Sequence, residues 1–396
     1  MIQYEYSDKV NAMKPSIIRE LLKQMADPTL ISFAGGNPSA EAFPAEEIRK
    51  ISDELLRDEA AATLQYSITE GYPPLRALGR EYLNRQFAVT KDYDDVIITS
   101  GSQQAMDILS KLLCNDGDVV ATEDPAFLGA MNCFRSNGAQ LVGVQMEADG
   151  PNLASLEAAL TGDKKPKLFY TIPNFQNPTG YTTSLAKRKA IYELCKKHGV
   201  PILEDNPYGE LRFTGEDIPP IKSFDEEGLV IYAVSLSKVF APGLRVALCC
   251  GEAGLLGKMT VAKQGIDVHT TLWSQRVIAK FFEQYDFDAL LQKLRGVYRA
   301  KARRMMDNMD AKLDGRITYV PVEGGMFLWP TLPDGVDVQA FIKNCLDHKL
   351  ALVPGNAFFV DGNAPCQSMR MNFSTPTNEQ IDEGVSIMAK VLKSML

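Results

Sequence analysis

From about residue 95 to 250 the sequence repeats one alternation, a short apolar run followed by a longer stretch with helical spacing. DVIITSGS leads into QQAMDILSKLL, DVVATEDP into AFLGAMNCFRSNG, and QLVGVQM into LASLEAAL. KLFYTIPNFQNPTG precedes SLAKRKAIYELCKKHG, while VPILEDNPYGE is followed by LVIYAVSLSK and RVALCCG. Alternating βα units of this kind restrict the chain to an α/β fold, a mostly parallel sheet flanked by helices on both faces. The runs VIIT, VPIL and LVIYAV are apolar throughout instead of alternating, as strands buried on both faces should be.

Beyond residue 286 the pattern changes. DFDALLQKLRGVYRAKARRMMDNMDAKL has the spacing of one long amphipathic helix, with Leu290, Leu291, Leu294 and Val297 on one face. TYVPVEGGMFLWP, the helical VQAFIKNCLDHKL, SMRMNFS and a last helix near 378 to 394 complete a smaller α+β unit. The first 45 residues, with several prolines and a GGNP turn, are too irregular to stand alone and are expected to pack on it. The expected division is a large domain over 46–285 and a small domain from 1–45 and 286–396.

The formal net charge of -8 argues against a general polyanion binder, because a phosphate backbone needs a basic surface. MIQYEYSDKVNAMKPS has no apolar core of a signal peptide, and no apolar run approaches the roughly 18 residues that span a bilayer. Neither a nucleic-acid nor a membrane partner is expected. The seven cysteines are irregularly spaced without CxxC, which reads as small core residues in a reducing compartment, so a cytoplasmic protein is expected. The three histidines have no paired-ligand spacing, and no metal is expected.

In open parallel sheets ligands bind beyond the carboxyl ends of the strands, so the polar residues there carry the functional reading. TSGSQQAMD, 99 to 107, puts glycine and serine between a strand and a helix N-terminus, a site for a phosphate or a plain N-cap. PNFQNPTG, 173 to 180, is a turn by composition whose Asn177 amide could donate to a phenolate or carboxylate oxygen. EDNPYGE, 204 to 210, ends an apolar strand with acids that need a partner, and Tyr208 follows Asp205 by three residues. SLSKVFAPGLR, 235 to 245, places Lys238 after a buried strand with Arg245 returning on the next; burial among cations depresses a lysine pKa and makes it a better amine nucleophile. A phosphate site, an acid for a ring nitrogen, donors for a ring oxygen and a lysine are together what pyridoxal phosphate requires.

The ordered series GSQQAMD, NPTG, EDxPYGE, SxSKxxxPGxR and a late arginine resembles the fold-type I pyridoxal-phosphate-dependent aminotransferases of class I/II, close to the 2-aminoadipate and kynurenine branch, over nearly the whole chain. The resemblance implies that Lys238 carries the cofactor covalently and, once freed, moves the proton at Cα. It implies that Asp205 keeps the pyridine nitrogen protonated, that Asn177 and Tyr208 bond the ring oxygen, and that Phe127 stacks on the ring. Ser102, Gln103, Ser235, Ser237 and Arg245 would hold the phosphate. Tyr66 would reach the phosphate of a neighbouring subunit, which makes an obligate homodimer with a shared active site. Arg370 would grip the substrate α-carboxylate, Gly36 would bring backbone close to substrate, and EGGMF, 323 to 327, would line the cleft.

Arg19 is open at this level, either a helix-surface charge or the arginine that meets the distal carboxylate of acidic substrates. By resemblance the substrates are an L-amino acid (2-aminoadipate, aromatic or aliphatic, with broad range) and a 2-oxo acid such as 2-oxoglutarate, converted by a ping-pong mechanism. The same ring-binding residues also serve lyases and decarboxylases, and effector-sensing domains of regulators. The sensor reading is disfavoured by the absence of a basic N-terminal module. A different nucleotide-binding fold would need a GxGxxG or GKS loop after the first strand, and neither is present.

Overall fold

The structure is a computed structural model and describes residues 2–11 and 29–396. Its centre is an eight-stranded sheet. In chain order the strands are β2 (Asp94–Thr99), β3 (Val119–Asp124), β4 (Gln140–Glu147), β5 (Gly150–Pro151), β6 (Leu168–Thr171), β7 (Ile202–Asp205), β8 (Val230–Ser235) and β9 (Ala247–Glu252). In space they run β2-β9-β8-β7-β6-β3-β4-β5. The pairs β3–β4, β3–β6, β6–β7 and β7–β8 are parallel.

The strand β9 runs against both its neighbours, β8 and β2. The reason is local. Only a short 3-10 turn, Pro242–Leu244, separates β8 from β9, and Ser235 pairs directly with Ala247, so residues 236–246 turn back instead of crossing over. A parallel connection would need a crossover of a dozen or more residues. This turn carries Lys238 and Arg245 to the edge where β2, β3, β6, β7 and β8 end. The apolar runs are buried as their patterns demand: every residue of β6, β7 and β8 is buried.

Two small sheets lie apart from the large one. β1 (Ile31–Ser32) pairs in parallel with β11 (Leu350–Ala351). β13 (Met369–Asn372) lies between β10 (Phe327–Leu328) and β12 (Val353–Pro354), antiparallel to both. Ile31–Ser32 is thereby joined to a strand of the C-terminal part. The long helix forms over Phe287–Lys312, capped by the Asp286 side chain at Ala289 N–H, and packs against the last helix, Asn378–Met395. That last helix starts with a capping box of Thr377 and Gln380, which satisfies two otherwise orphaned donors.

Among the described residues no helix is long and apolar enough to cross a membrane, and no cluster of His, Cys, Asp and Glu could hold a metal ion. All seven cysteines are unbonded, and Cys133, Cys195, Cys249, Cys250 and Cys345 are buried.

Candidate active site

Asp205 closes β7 and is buried. Its Oδ2 accepts a hydrogen bond from the Tyr170 hydroxyl at 3.0 Å, whereas Oδ1 is buried with no partner. Burial pushes this carboxyl up to about 7, against the opposing pull of the Tyr170 and Ser102 hydroxyls. A buried acceptor left open in this way lacks a donor of the right shape and charge.

Across the strand ends, Lys238 Nζ donates to the Gly36 carbonyl at 2.6 Å. Its amine is depressed to about 8, first by burial and then by the Arg370 and Arg245 charges. The neutral, nucleophilic form is therefore more accessible at ordinary pH than for an unperturbed lysine. The side chain of Gly36 is not what the position excludes, since a Cβ there would meet Phe327 at an ordinary 3.7 Å. What matters is the carbonyl facing the lysine.

Arg370 lies on β13 at 3% exposure. Nη1 donates to Asn177 Oδ1 at 3.0 Å and Nη2 to the Ala34 carbonyl at 2.8 Å, while Nε is buried and unpartnered. The guanidinium is held between two rings, 4.5 Å from the Phe327 centroid and 4.9 Å from that of Phe358, and burial lowers its pKa to about 10. Asn177 Nδ2 in turn donates to the Tyr208 hydroxyl at 3.4 Å, and Tyr208 meets Phe327 edge-on at 5.8 Å. Burial raises the Tyr208 pKa, with the nearby Arg370 charge opposing it. Lys238, Gly36, Arg370, Asn177 and Tyr208 therefore form one continuous group around the strand ends.

A third group surrounds the start of the helix Ser102–Leu113. Gly101, at φ 79, turns the chain into that helix, and a Cβ there would fall 2.4 Å from Arg245 Nη2. The positive φ favours glycine there, while the arginine tip could move aside. Arg245 donates to the Ser100 carbonyl and the Ser237 hydroxyl, each at 3.3 Å. Ser235 and Ser237 are buried beside it. Gln103, in the first turn of the helix, is exposed. The amide that shapes the turn is Gln104, which accepts from Ser100 N–H at 2.8 Å and donates to Asp267 at 2.9 Å.

Phe127 stands at the end of β3, where the helix Leu128–Ser136 begins, with its ring over Gly129. Tyr66 is 81% exposed and touches His269 edge-on at 5.9 Å. Arg19 lies outside the described residues. In the stretch 323–327 the residue with a visible role is Phe327, under Arg370.

Sequence reasoning missed Phe358, Tyr170, Gln104 and Asp267. Phe358 and Tyr170 look like core aromatics in sequence, and only their neighbours distinguish them. The unpartnered Asp205 Oδ1, the glycine-shaped cradle under Arg245, the run of N–H and hydroxyl donors at the helix start, and the depressed lysine fit a phosphorylated pyridine aldehyde. The acceptor suits its ring nitrogen, the cradle its phosphate and the amine its carbonyl.

A family model described as aminotransferase class I and II matches residues 28–388. The chain is 37% identical to the aromatic-amino-acid aminotransferase 1 of Thermococcus litoralis, over 99% of this chain and 95% of that protein. The crystal structure of Pyrococcus horikoshii kynurenine aminotransferase with PMP superposes with a TM-score of 0.94 at 34% identity, covering 99% of this chain and 97% of the other. The alpha-aminoadipate aminotransferase of Thermus thermophilus, complexed with N-(5'-phosphopyridoxyl)-L-leucine, superposes with a TM-score of 0.89 at 35% identity, covering 98% and 97%. With a match along nearly its whole length, the chain belongs to the class I and II aminotransferases and is a pyridoxal-phosphate-dependent transaminase of fold type I.

Proposed function

We propose that this transaminase takes the amino group from a broad set of L-amino acids, aromatic, aliphatic and 2-aminoadipate, and passes it to a 2-oxo acid such as 2-oxoglutarate. One observation carries the reading: the buried Arg370 guanidinium, clamped between Phe327 and Phe358, keeps Nε without a partner beside Lys238 and Asn177. A planar fork of this kind matches an α-carboxylate. The breadth of the donor range is supported by relatives named for aromatic amino acids, for kynurenine and for alpha-aminoadipate, the last holding a leucine adduct.

Pyridoxal phosphate supplies the carbonyl that takes up the amino group and the ring that accepts the electrons of the Cα–H bond. Each remaining task belongs to a side chain. Arg370 binds the carboxylate and so fixes the substrate Cα. Lys238, depressed to about 8, holds the cofactor and then takes and returns the Cα proton, as a base poised near ambient pH does best. Asp205 offers Oδ1 to the ring nitrogen, and Asn177 and Tyr208 offer donors to the ring oxygen. Phe127 would stack on the ring. The phosphate would be held by Ser102, Gln103, Ser235, Ser237 and Arg245. Donor and acceptor use one pocket in turn, which makes the kinetics ping-pong.

The dimer belongs to the same proposal. Leu64, Tyr66 and Ile68 are exposed, as are Ile266 and Val268, and the two segments meet where Tyr66 touches His269. Apolar surface of that kind fits a second copy of the chain, with Tyr66 reaching into the partner's phosphate site. The division into a domain over 46–285 and one from 1–45 and 286–396 is likewise our reading, supported by the separate small sheets. Seven unbonded cysteines suit a reducing compartment such as the cytoplasm.

The test is the absorbance spectrum of the holoenzyme with single amino acids (kynurenine, phenylalanine, leucine, 2-aminoadipate, glutamate). Conversion to the pyridoxamine form by several of them, reversed by 2-oxoglutarate, is expected. A cofactor band that no amino acid converts would sink the assignment of donors. Conversion by one side-chain class alone would sink the breadth.

A further inference from the structure

The ring of Tyr170 is packed deep under the site, on the middle strand of the parallel sheet, and no role has been given to its hydroxyl. Tyr170 and Leu203 are partners in the β6–β7 ladder, and Asp205 lies two residues beyond Leu203. Side chains alternate along a strand, so Tyr170 and Asp205 rise from the same face. Tyr170 is 0% exposed, its ring meets Phe134 edge-on at 5.6 Å, and its hydroxyl donates to Asp205 Oδ2. Asp205 therefore has one oxygen that is engaged and one that is open.

We propose that Tyr170 is a positioning residue, which holds the Asp205 carboxylate ionised and turned so that Oδ1 alone faces the cofactor's ring nitrogen. The inference rests on the reading that Asp205 partners that nitrogen.

The surroundings explain why a donor is needed. The titratable groups acting on or with Asp205 are Tyr170, Tyr208 and Glu123, and the Ser102 hydroxyl is beside it. None of these is a cation. Glu123 is itself fully buried, accepting from Thr171, Ile172 N–H and Gln176, and its charge works against ionisation of Asp205. A carboxylate enclosed in this way favours its neutral form. A neutral Asp205 would leave the ring nitrogen without its proton, and the ring would then be a weaker electron acceptor. The Tyr170 hydroxyl opposes that drift, since a hydrogen bond to the charged form stabilises it. It also fixes the orientation of the carboxyl, because Oδ2 is tied to the hydroxyl while Oδ1 has no hydrogen-bond partner.

The experiment is nitrogen NMR of the holoenzyme reconstituted with ring-15N pyridoxal phosphate, titrated with pH, for wild type, Tyr170→Phe and Asp205→Asn. The chemical shift reads the proton on the ring nitrogen whether or not the enzyme turns over. Tyr170→Phe removes one oxygen and keeps the ring against Phe134; near-ultraviolet circular dichroism checks that packing. In Tyr170→Phe the pH at which the nitrogen loses its proton is expected to fall by about one unit, the order of one charge-assisted hydrogen bond. In Asp205→Asn the proton is expected to be lost throughout. If Asp205→Asn shifts the titration and Tyr170→Phe does not, the role of Tyr170 is overturned alone. If Asp205→Asn also leaves it unmoved, the reading of Asp205 falls and the inference falls with it.

Discussion

The two ends of the proposed cofactor site are built by opposite means. At the nitrogen end the groups are strand residues, Tyr170 on β6 and Asp205 on β7, buried and set by the register of a parallel ladder. At the phosphate end they are loop residues: Ser100, Gly101 and Arg245, the last exposed and at φ 55. The loops are braced through Asp267, which accepts from Ser100 and Gln104, both at 2.9 Å, and from the fully buried Lys263 at 2.6 Å. Asp267 belongs to the segment 265–271 that also carries Val268 and His269 beside the exposed Tyr66. The lesson is a division of labour. One end is preorganised by the sheet within a single chain, and the other is held by contacts that continue to the surface proposed to meet a second chain.

The substitution that reaches across both ends should have the largest effect. Lys238→Ala is expected to lower the rate of each half-reaction by about 10^4-fold or more while the cofactor still binds, as single-turnover absorbance would show. A loss below tenfold would remove Lys238 from proton transfer. Next comes Arg370→Ala, which strands the carboxylate next to two phenyl rings. It is expected to cut kcat/KM by about 10^2–10^3-fold for every amino donor alike, with cofactor affinity unchanged. A loss confined to one side-chain class would make Arg370 a specificity residue instead.

Asp267→Ala sharpens the contrast between the ends directly. It should weaken cofactor retention by roughly tenfold, through the loosened Ser100 and Gln104, and leave the ring-nitrogen titration where it was. Equilibrium dialysis gives the first quantity and 15N NMR the second. Movement of both would mean that the two ends are not independent.

The smallest effect is one of stability. Burial holds Glu123, Glu204 and Asp205 at about 7 in the folded chain, well above an ordinary carboxyl. Between about pH 4 and 7 the folded chain therefore binds more protons than the unfolded one. Stability from this source is full below that window and is lost as the pH rises through 7. The thermal midpoint of the cofactor-free protein should fall by a few degrees from pH 5.5 to 8, and saturating cofactor should recover part of the loss through Asp205. A midpoint that rises over this range would show that these acids are ionised in the fold.

Much of this was legible in the sequence because its signals are local. The apolar runs announced buried parallel strands, and the ordered strand-end motifs announced the cofactor. Asp205, Asn177, Tyr208 and Arg370 came together where a parallel sheet puts its ligand. What such reading leaves open is orientation. Gln103 stands next to Gln104, and the phase of the helix Ser102–Leu113 leaves the first exposed and turns the second to Asp267. The reversal of β9 was latent in a link too short for a crossover, but an apolar run alone carries no direction.

The sequence by itself determined the fold class, the cofactor and the order of the residues that serve it, since periodicity and motif spacing are properties of the chain. The tertiary structure alone decided which oxygen of Asp205 is open, which rings clamp Arg370, which carbonyl meets Lys238, and that Asp267 joins the phosphate loop to the segment beside Tyr66. Those facts depend on distances between residues as far apart as Gly36 and Lys238, or Ala34 and Arg370. Burial and charge act through space, and their reach has no counterpart in sequence separation.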